Sequence, residues 1–247
     1  MKSRESGRQP VRNFDRLFHG LNLAESVFFY PCCSSDVSQP IRFFAPHISR
    51  FCFADIQPPP VSELRKAVDI HEEHSVVISG YEFLQYSPED VPRRELERIA
   101  DLRALHNYSA SYKGSEFEIS WYQCDAVHAL QQIDQVTVFC HRSDGPIWGE
   151  GSSGIPWLQK DLFSLVIDKI VDNGLLVTDG SCGHYPDTEH PHSPLWRDLR
   201  ANKSDCPASM PEDFELNHAR FRCLGTFLSR RGVRSYIWKI SKPGALL

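Results

Sequence analysis

Four short apolar runs, each closed by a turn-forming or polar residue, set the rhythm of the chain. Val27-Phe28-Phe29-Tyr30 stops at Pro31, and Phe51-Cys52-Phe53-Ala54 stops at Asp55. Gln135–His141 and Leu175-Leu176-Val177-Thr178 follow, the last ending at Asp179. Runs of this length with β-branched and aromatic content predict buried strands. A fifth strand is predicted over Glu116–Cys124, where the alternation ends at Asp125. Between these lie segments with helical spacing. Ser38-Gln39-Pro40 opens a helix, with Ser38 as the expected N-cap, and Pro46 ends it. Pro58-Pro59-Pro60 is a hard break before a short helix over Ser62–Val68. Val76-Val77-Ile78 suggests a strand. Leu96, Ile99, Leu102 and Leu105 space a helix over Pro92–His106. An amphipathic helix runs from Pro156 to Val171, and Asn173-Gly174 caps it.

Two stretches stand apart. Residues 1–26 are polar and read as an N-terminal arm, and residues 181–217, rich in His, Pro and Asp, read as a surface excursion. The chain closes on Arg220–Ser229 and Val233–Ile240, joined by Arg230-Arg231-Gly232 as a hairpin. Strands alternating with helices before a terminal hairpin predict a mainly parallel sheet with an antiparallel edge, one domain over 27–247.

Composition narrows the classes. The 247 residues carry a formal net charge of −5 and 41% hydrophobic residues. The acidic balance argues against general nucleic-acid binding, and the hydrophobic content suffices for a sizeable core. No apolar run approaches the ~20 residues that span a bilayer, and the N-terminus has no apolar signal-peptide stretch. A cytoplasmic location, with no membrane partner, is the expectation. The eight cysteines are expected to be reduced, since no C-x-x-C occurs and Cys52, Cys124 and Cys140 sit in apolar runs.

The polar ends of the strands are the candidate chemistry. Tyr30, Pro31, Cys32, Ser34 and Asp36 follow the first strand, then Asp55, Asp125, His141-Arg142 and Asp179 end later ones. In open α/β sheets, ligands bind outside the carboxyl ends of the strands. Solvated loops alone would also place polar residues there.

In that order of elements, FFYPCCSSD, FCFADI, ISWYQCDAVHAL, DNGLLVTDG and the pair FRCLGTFLSRR/VRSYIWKI, the chain resembles the class I S-adenosylmethionine-dependent methyltransferases, in pattern rather than identity. The resemblance implies a three-layer Rossmann-like α/β fold, mostly parallel, with a C-terminal antiparallel hairpin. It implies S-adenosylmethionine or a related small nucleoside as ligand. Asp55 would hold the ribose, Asp125 would approach the adenine, and the loop from Tyr30 through Cys32 and Ser34 to Asp36 would lie against the methionine moiety. A carboxylate accepts from both ribose hydroxyls at once. On an open rim, such a residue would matter for ligand and little for stability. The chain departs from the family in two places. The first loop has no glycine, and His141-Arg142-Ser143-Asp144 stands where amino-methylating members carry Asp/Asn-Pro-Pro-aromatic. The catalytic residues are otherwise unassigned, with His141 and Arg142 as candidates.

Two alternatives stay open. One is a non-catalytic Rossmann-like binding or interaction module that has lost the cofactor. The other is a phosphate- or nucleotide-binding enzyme using Gly149, Gly151 and Gly154, which satisfy G-x-G-x-x-G ahead of a helix. Cys182, His184, His190 and His192 fit no compact metal motif, and His71 and His74 are three apart, so neither group predicts a metal.

Overall fold

The computed structural model describes residues 14–77, 104–142, 153, 155, 157–158, 160–179, 213–216, 218–228 and 234–242. They fall into two compact units, one over 22–136 and the other over 137–247 with the first 21 residues.

The 22–136 unit holds five strands and three helices: β1 (Val27–Pro31), α1 (Ser38–Phe44), β2 (Arg50–Asp55), α2 (Val61–Ala67), β3 (Asp69–Val77), β4 (Ala104–Tyr112), β5 (Ser115–Gln123) and α3 (Ala126–Gln131). Its strand order is β3-β4-β5-β2-β1. β2 runs parallel to both β1 and β5, so the carboxyl ends of these three strands share one rim. β1 and β2 are apolar on both faces because both faces are covered, as buried parallel strands require. An aromatic ladder fills the core. Phe28 lies 5.2 Å from Phe44 and 5.3 Å from Phe51, Phe51 lies 5.1 Å from Phe117, and Phe53 lies 6.1 Å from Trp121, measured between ring centroids.

Several expectations over this unit change. Ser38 is the first residue of α1, with Val37 at the N-cap and no side-chain cap. The Ser38 hydroxyl instead donates to Glu63 O on α2 at 3.4 Å. The helix expected over Pro92–His106 is strand at its described end, 104–106, and the rest lies outside the described residues. Leu102 and Leu105 match helical spacing, but the 104–112 segment pairs on both sides, with β3 and with β5. Lys113 and Gly114, both left-handed (φ 53° and 84°), form the two-residue turn that ties β4 to β5, a turn type that needs positive φ at both positions. The 22–136 unit therefore has an antiparallel edge that the sequence did not predict. β3 was expected only around Val76 and begins seven residues earlier. Its residues 71–77 are exposed, so their polarity hid them from a search for buried runs.

The second unit contains β6 (Val136–His141), α4 (Lys160–Lys169), β7 (Ile170–Thr178), β8 (Asp213–Leu216), β9 (Ala219–Leu228) and β10 (Arg234–Ser241), in the order β6-β7-β10-β9-β8. The terminal hairpin is as expected, and its second strand inserts antiparallel beside β7, pairing Tyr236 with Thr178 and Thr226. α4 buries Leu162, Phe163, Val166 and Ile167, with Phe163 stacked 5.9 Å from Phe221. The strand expected from Leu175 starts at Ile170, so Asn173 and Gly174 lie within β7 and do not cap the helix. Asn173 takes a left-handed φ of 62°. Gly174 is fixed by crowding, since a Cβ there would stand 2.9 Å from Val171 O and 3.0 Å from Thr137 O. A 3-10 turn at Phe14–Phe18 buries Leu17 and Phe18, so this part of the expected arm is packed. Among the described residues, no helix is long and apolar enough to cross a membrane.

Candidate functional site

Six of the predicted residues meet in the 22–136 unit around the first loop. β1 ends at Pro31, and Cys32 extends the pairing by donating its N–H to Ala54 O at 2.7 Å. The chain then turns sharply. Cys32 and Ser34 both adopt left-handed conformations, with φ of 52° and 48°. Non-glycine residues pay roughly 1–2 kcal/mol each for that region, so something must hold them there. Asp55 does: its Oδ2 accepts the Ser34 N–H at 2.7 Å, and its Oδ1 accepts the Gln57 N–H at 2.9 Å. Asp36 closes the turn, its N–H donating to Cys33 O at 2.9 Å and its Oδ2 accepting from the Tyr30 hydroxyl at 3.0 Å. The loop without glycine thus takes positive φ at two positions and rests on the carboxylate that ends β2.

Asp55 is only 9% exposed, so it is as much a structural clamp as a rim residue. These two bonds favour a contribution to stability over the small one expected of a rim residue. Beneath the loop, the Cys33 thiol is enclosed. Burial first, and then the Asp55 carboxylate, push its pKa well above the usual thiol value. Cys32 is half-buried.

Asp125 stands just past β5, in the same strand end. It caps α3, with Oδ1 accepting from Val127 N–H at 2.9 Å and His128 N–H at 3.0 Å, as an N-cap carboxylate does. Oδ2 takes no bond among the described residues. Burial raises its pKa above 3.8, and the two backbone donors oppose that without reversing it.

Sequence reading missed the neighbours of Asp55. Gln123 lies directly opposite it in the β2–β5 register. Trp121 donates its indole N–H to Gln57 O at 3.0 Å, fixing the segment after β2. A chain of side chains reaches Gln123 from the sheet edge: Ser75 Oγ lies 2.7 Å from His106 Nδ1, and His106 Nε2 lies 3.3 Å from Gln123 Oε1. The alternation over 115–123 placed Gln123 on the core face. Nothing in the sequence joined it to residues 75 and 106, because that pairing depends on the β3–β4–β5 register.

The other candidates lie elsewhere. His141 and Arg142 belong to the second unit and are fully buried, 0% and 1% exposed. The His141 ring packs 6.4 Å from Trp157. Gly149, Gly151 and Gly154, and also Cys182, His184, His190 and His192, lie outside the described residues. Among the described residues no group of three or more His, Cys, Asp or Glu could hold a metal. An open cavity of about 660 Å³ sits at the amino ends of β1, β2 and β5, lined by Glu25, Arg50, Glu116 and Glu118. It lies at the strand ends opposite Asp55.

No protein-family model matches the chain, and no curated protein matches it. Solved structures similar to it include an rRNA methylase from Streptococcus thermophilus, with 11% identity, 92% of both chains covered and a TM-score of 0.39. A Streptococcus mutans protein in complex with SAH matches at 10% identity over 88% of this chain and 89% of its own, with a TM-score of 0.34. Precorrin 8W decarboxylase from Methanobacterium thermoautotrophicum matches at 10% identity, 95% and 92% coverage and a TM-score of 0.34.

Proposed function

We propose that the 22–136 unit carries the ligand end of a methyltransferase-like domain over 27–247, one that binds S-adenosylmethionine or a related nucleoside. The observation that carries this reading is the first loop. Cys32 and Ser34 hold the left-handed backbone that glycines would otherwise supply, and the loop is seated on the carboxylate at the end of β2. Loops strained in this way concentrate at ligand clamps. The donor set fits the ligand. A carboxylate such as Asp55 can accept from a ribose hydroxyl, and Asp125 Oδ2 can accept from an adenine amino group. S-adenosylmethionine supplies an electrophilic methyl group. What this chain contributes is binding and orientation.

A second reading has its own observation. Both Asp55 oxygens already accept backbone N–H groups, and the residue is nearly enclosed, as in a module that keeps the fold and has given up the ligand. Titration calorimetry of the full chain with S-adenosylmethionine, S-adenosylhomocysteine and NAD separates them. Saturable heat with the first two supports the nucleoside reading. Heat with NAD alone favours a nucleotide site at Gly149–Gly154. No heat with any of the three refutes the nucleoside reading and leaves the binding module.

A further inference from the structure

We infer that the cavity at the amino ends of β1, β2 and β5 is a second binding site, one that takes a basic α-amino acid such as lysine or arginine. It lies at the strand ends opposite Asp55, so it goes beyond the nucleoside reading and stands independently of it.

Strand register builds the site. Arg50 opens β2 and stands directly opposite Val27 on β1 and Glu118 on β5, and Glu118 stands opposite Ser109 on β4. Directly paired residues share one face of a sheet, so these four form a single row across it. Glu116 is on the same face two residues earlier in β5, roughly 7 Å along the strand from Glu118. Glu25, just before β1, completes the wall. The cavity they line measures about 660 Å³, within the ~300–1,000 Å³ of sites that take small molecules.

The lining carries both signs of charge, and they are not matched to one another. Arg50 and Glu118 face each other, yet among the described residues no carboxylate comes within ion-pairing distance of Arg50, and no Lys or Arg within that distance of Glu25, Glu116 or Glu118. The guanidinium leans toward the buried Cys52 sulfur, a weak acceptor that leaves most of its five donors open. Glu116 has only the exposed His71 ring, at 3.6 Å. Three carboxylates and one guanidinium are complementary to a ligand with two cations and one carboxylate, the set that a basic α-amino acid carries. Its α-carboxylate takes the Arg50 fork in a bidentate pair. The α-ammonium beside it falls to Glu118, one strand away at about 4.8 Å, and the side-chain cation goes to Glu116 or Glu25. A neutral amino acid leaves the outer carboxylates unmatched. A diamine leaves Arg50 unmatched and meets its charge, and the net negative lining repels a nucleotide.

The test is titration calorimetry of the full chain at about 0.15 M salt, where screening over about 8 Å suppresses loose condensation of cations on an acidic surface. The probes are L-lysine, L-arginine, L-norleucine, which lacks the side-chain cation, and cadaverine, which lacks the carboxylate. Lysine and arginine should saturate one site and bind at least about tenfold more tightly than norleucine or cadaverine. Arg50→Gln should bring lysine down to the level of cadaverine, with cadaverine no weaker than before. Glu118→Gln should weaken lysine and cadaverine together and leave S-adenosylhomocysteine binding as in wild type. Equal wild-type affinity for lysine and cadaverine overturns the inference without any variant, and so does the absence of saturable heat with lysine and arginine. An unchanged preference for lysine over cadaverine in a folded Arg50→Gln protein overturns it as well. Should that variant fail to fold, unchanged lysine binding in Glu118→Gln does the same. Failure of wild type to bind S-adenosylhomocysteine bears on the nucleoside reading alone.

Discussion

Replacing Asp55 by alanine tests the double role the structure gives it. The carboxylate accepts the Ser34 and Gln57 N–H groups at 2.7 and 2.9 Å. Hydrogen bonds to a charged group contribute about 1.5–3 kcal/mol each. Ser34 and Gln57 are themselves exposed, so water can reach the two abandoned N–H groups and the loss falls toward the lower end, about 1–3 kcal/mol in total. Alanine also releases Cys32 and Ser34 from the contact that holds them in left-handed backbone. Relief of roughly 1–2 kcal/mol per residue then favours opening of the loop over unfolding of the sheet. For a chain of this size each kcal/mol lowers Tm by about 2–4 °C, so Asp55→Ala should melt about 2–12 °C below wild type by calorimetric scanning. Limited proteolysis should in addition cut first within residues 32–36. The nucleoside reading adds a second loss, a weakening of adenosine or S-adenosylhomocysteine binding by about 1.5–3 kcal/mol. A Tm within a degree of wild type, with the loop equally resistant to protease, would refute the clamp. Asp55 would then be a free rim carboxylate of the kind the sequence suggested.

Gly174→Ala should destabilise by about 1–3 kcal/mol, the range for overpacking a closed site, because its Cβ meets Ile170 Cγ2 at 2.6 Å and two backbone carbonyls near 3 Å; an unchanged urea midpoint would contradict the packing described. Asp125 has a folded pKa raised above 3.8 by burial, so its contribution to stability is full below the ordinary Asp range and is lost as pH rises through the raised value. Asp125→Asn keeps a competent N-cap, and its Tm relative to wild type should therefore improve as pH rises from about 4 into the neutral range; a pH-independent difference would count against the shift. Cys32 and Cys223 should be the first of the described cysteines to react with a thiol reagent in the native protein, because Cys33, Cys52, Cys124 and Cys140 are buried and burial pushes the Cys52 thiol up to about 12. Eight thiols should titrate after denaturation without reductant, and a stable disulfide would overturn the reduced state expected of the chain.

The strands of the parallel part were legible because their signal is local. Val27–Tyr30 and Phe51–Ala54 are apolar on both faces, and only a doubly covered strand tolerates that. Asp55 and Asp125 were legible for the same reason, as the polar residues that end such runs. What stayed hidden depended on pairing between distant segments. Residues 104–112 alternate polar and apolar over a half-buried surface, and the spacing of Leu102 and Leu105 imitated a helix until the Lys113-Gly114 turn joined them to β5. Gln123 read as an ordinary end of a strand, since its partner His106 is seventeen residues away. The left-handed backbone at Cys32 and Ser34 had no local signature at all. Neither residue favours that region, and the hydrogen bond to Asp55 that imposes it comes from 21 residues further along the chain. Asn173-Gly174 shows the opposite error, a strong local turn signal absorbed into a strand whose crowding at Gly174 sets the residue type.

A loop that turns left-handed on cysteine and serine differs from a glycine loop in its kinetics as well as its shape. Glycine crosses between left- and right-handed backbone readily, so a glycine loop samples many arrangements before a ligand arrives. With side chains at 32 and 34, few alternatives are sterically open, and each requires first breaking the Ser34–Asp55 bond. Little disorder remains to be lost on binding, and entry of any ligand behind the loop must wait for a discrete opening event. The Ser34 amide proton is the natural clock for it. Hydrogen-bonded to the Asp55 carboxylate, it should exchange with solvent only when that bond opens, so its exchange rate reads the opening frequency at one atom.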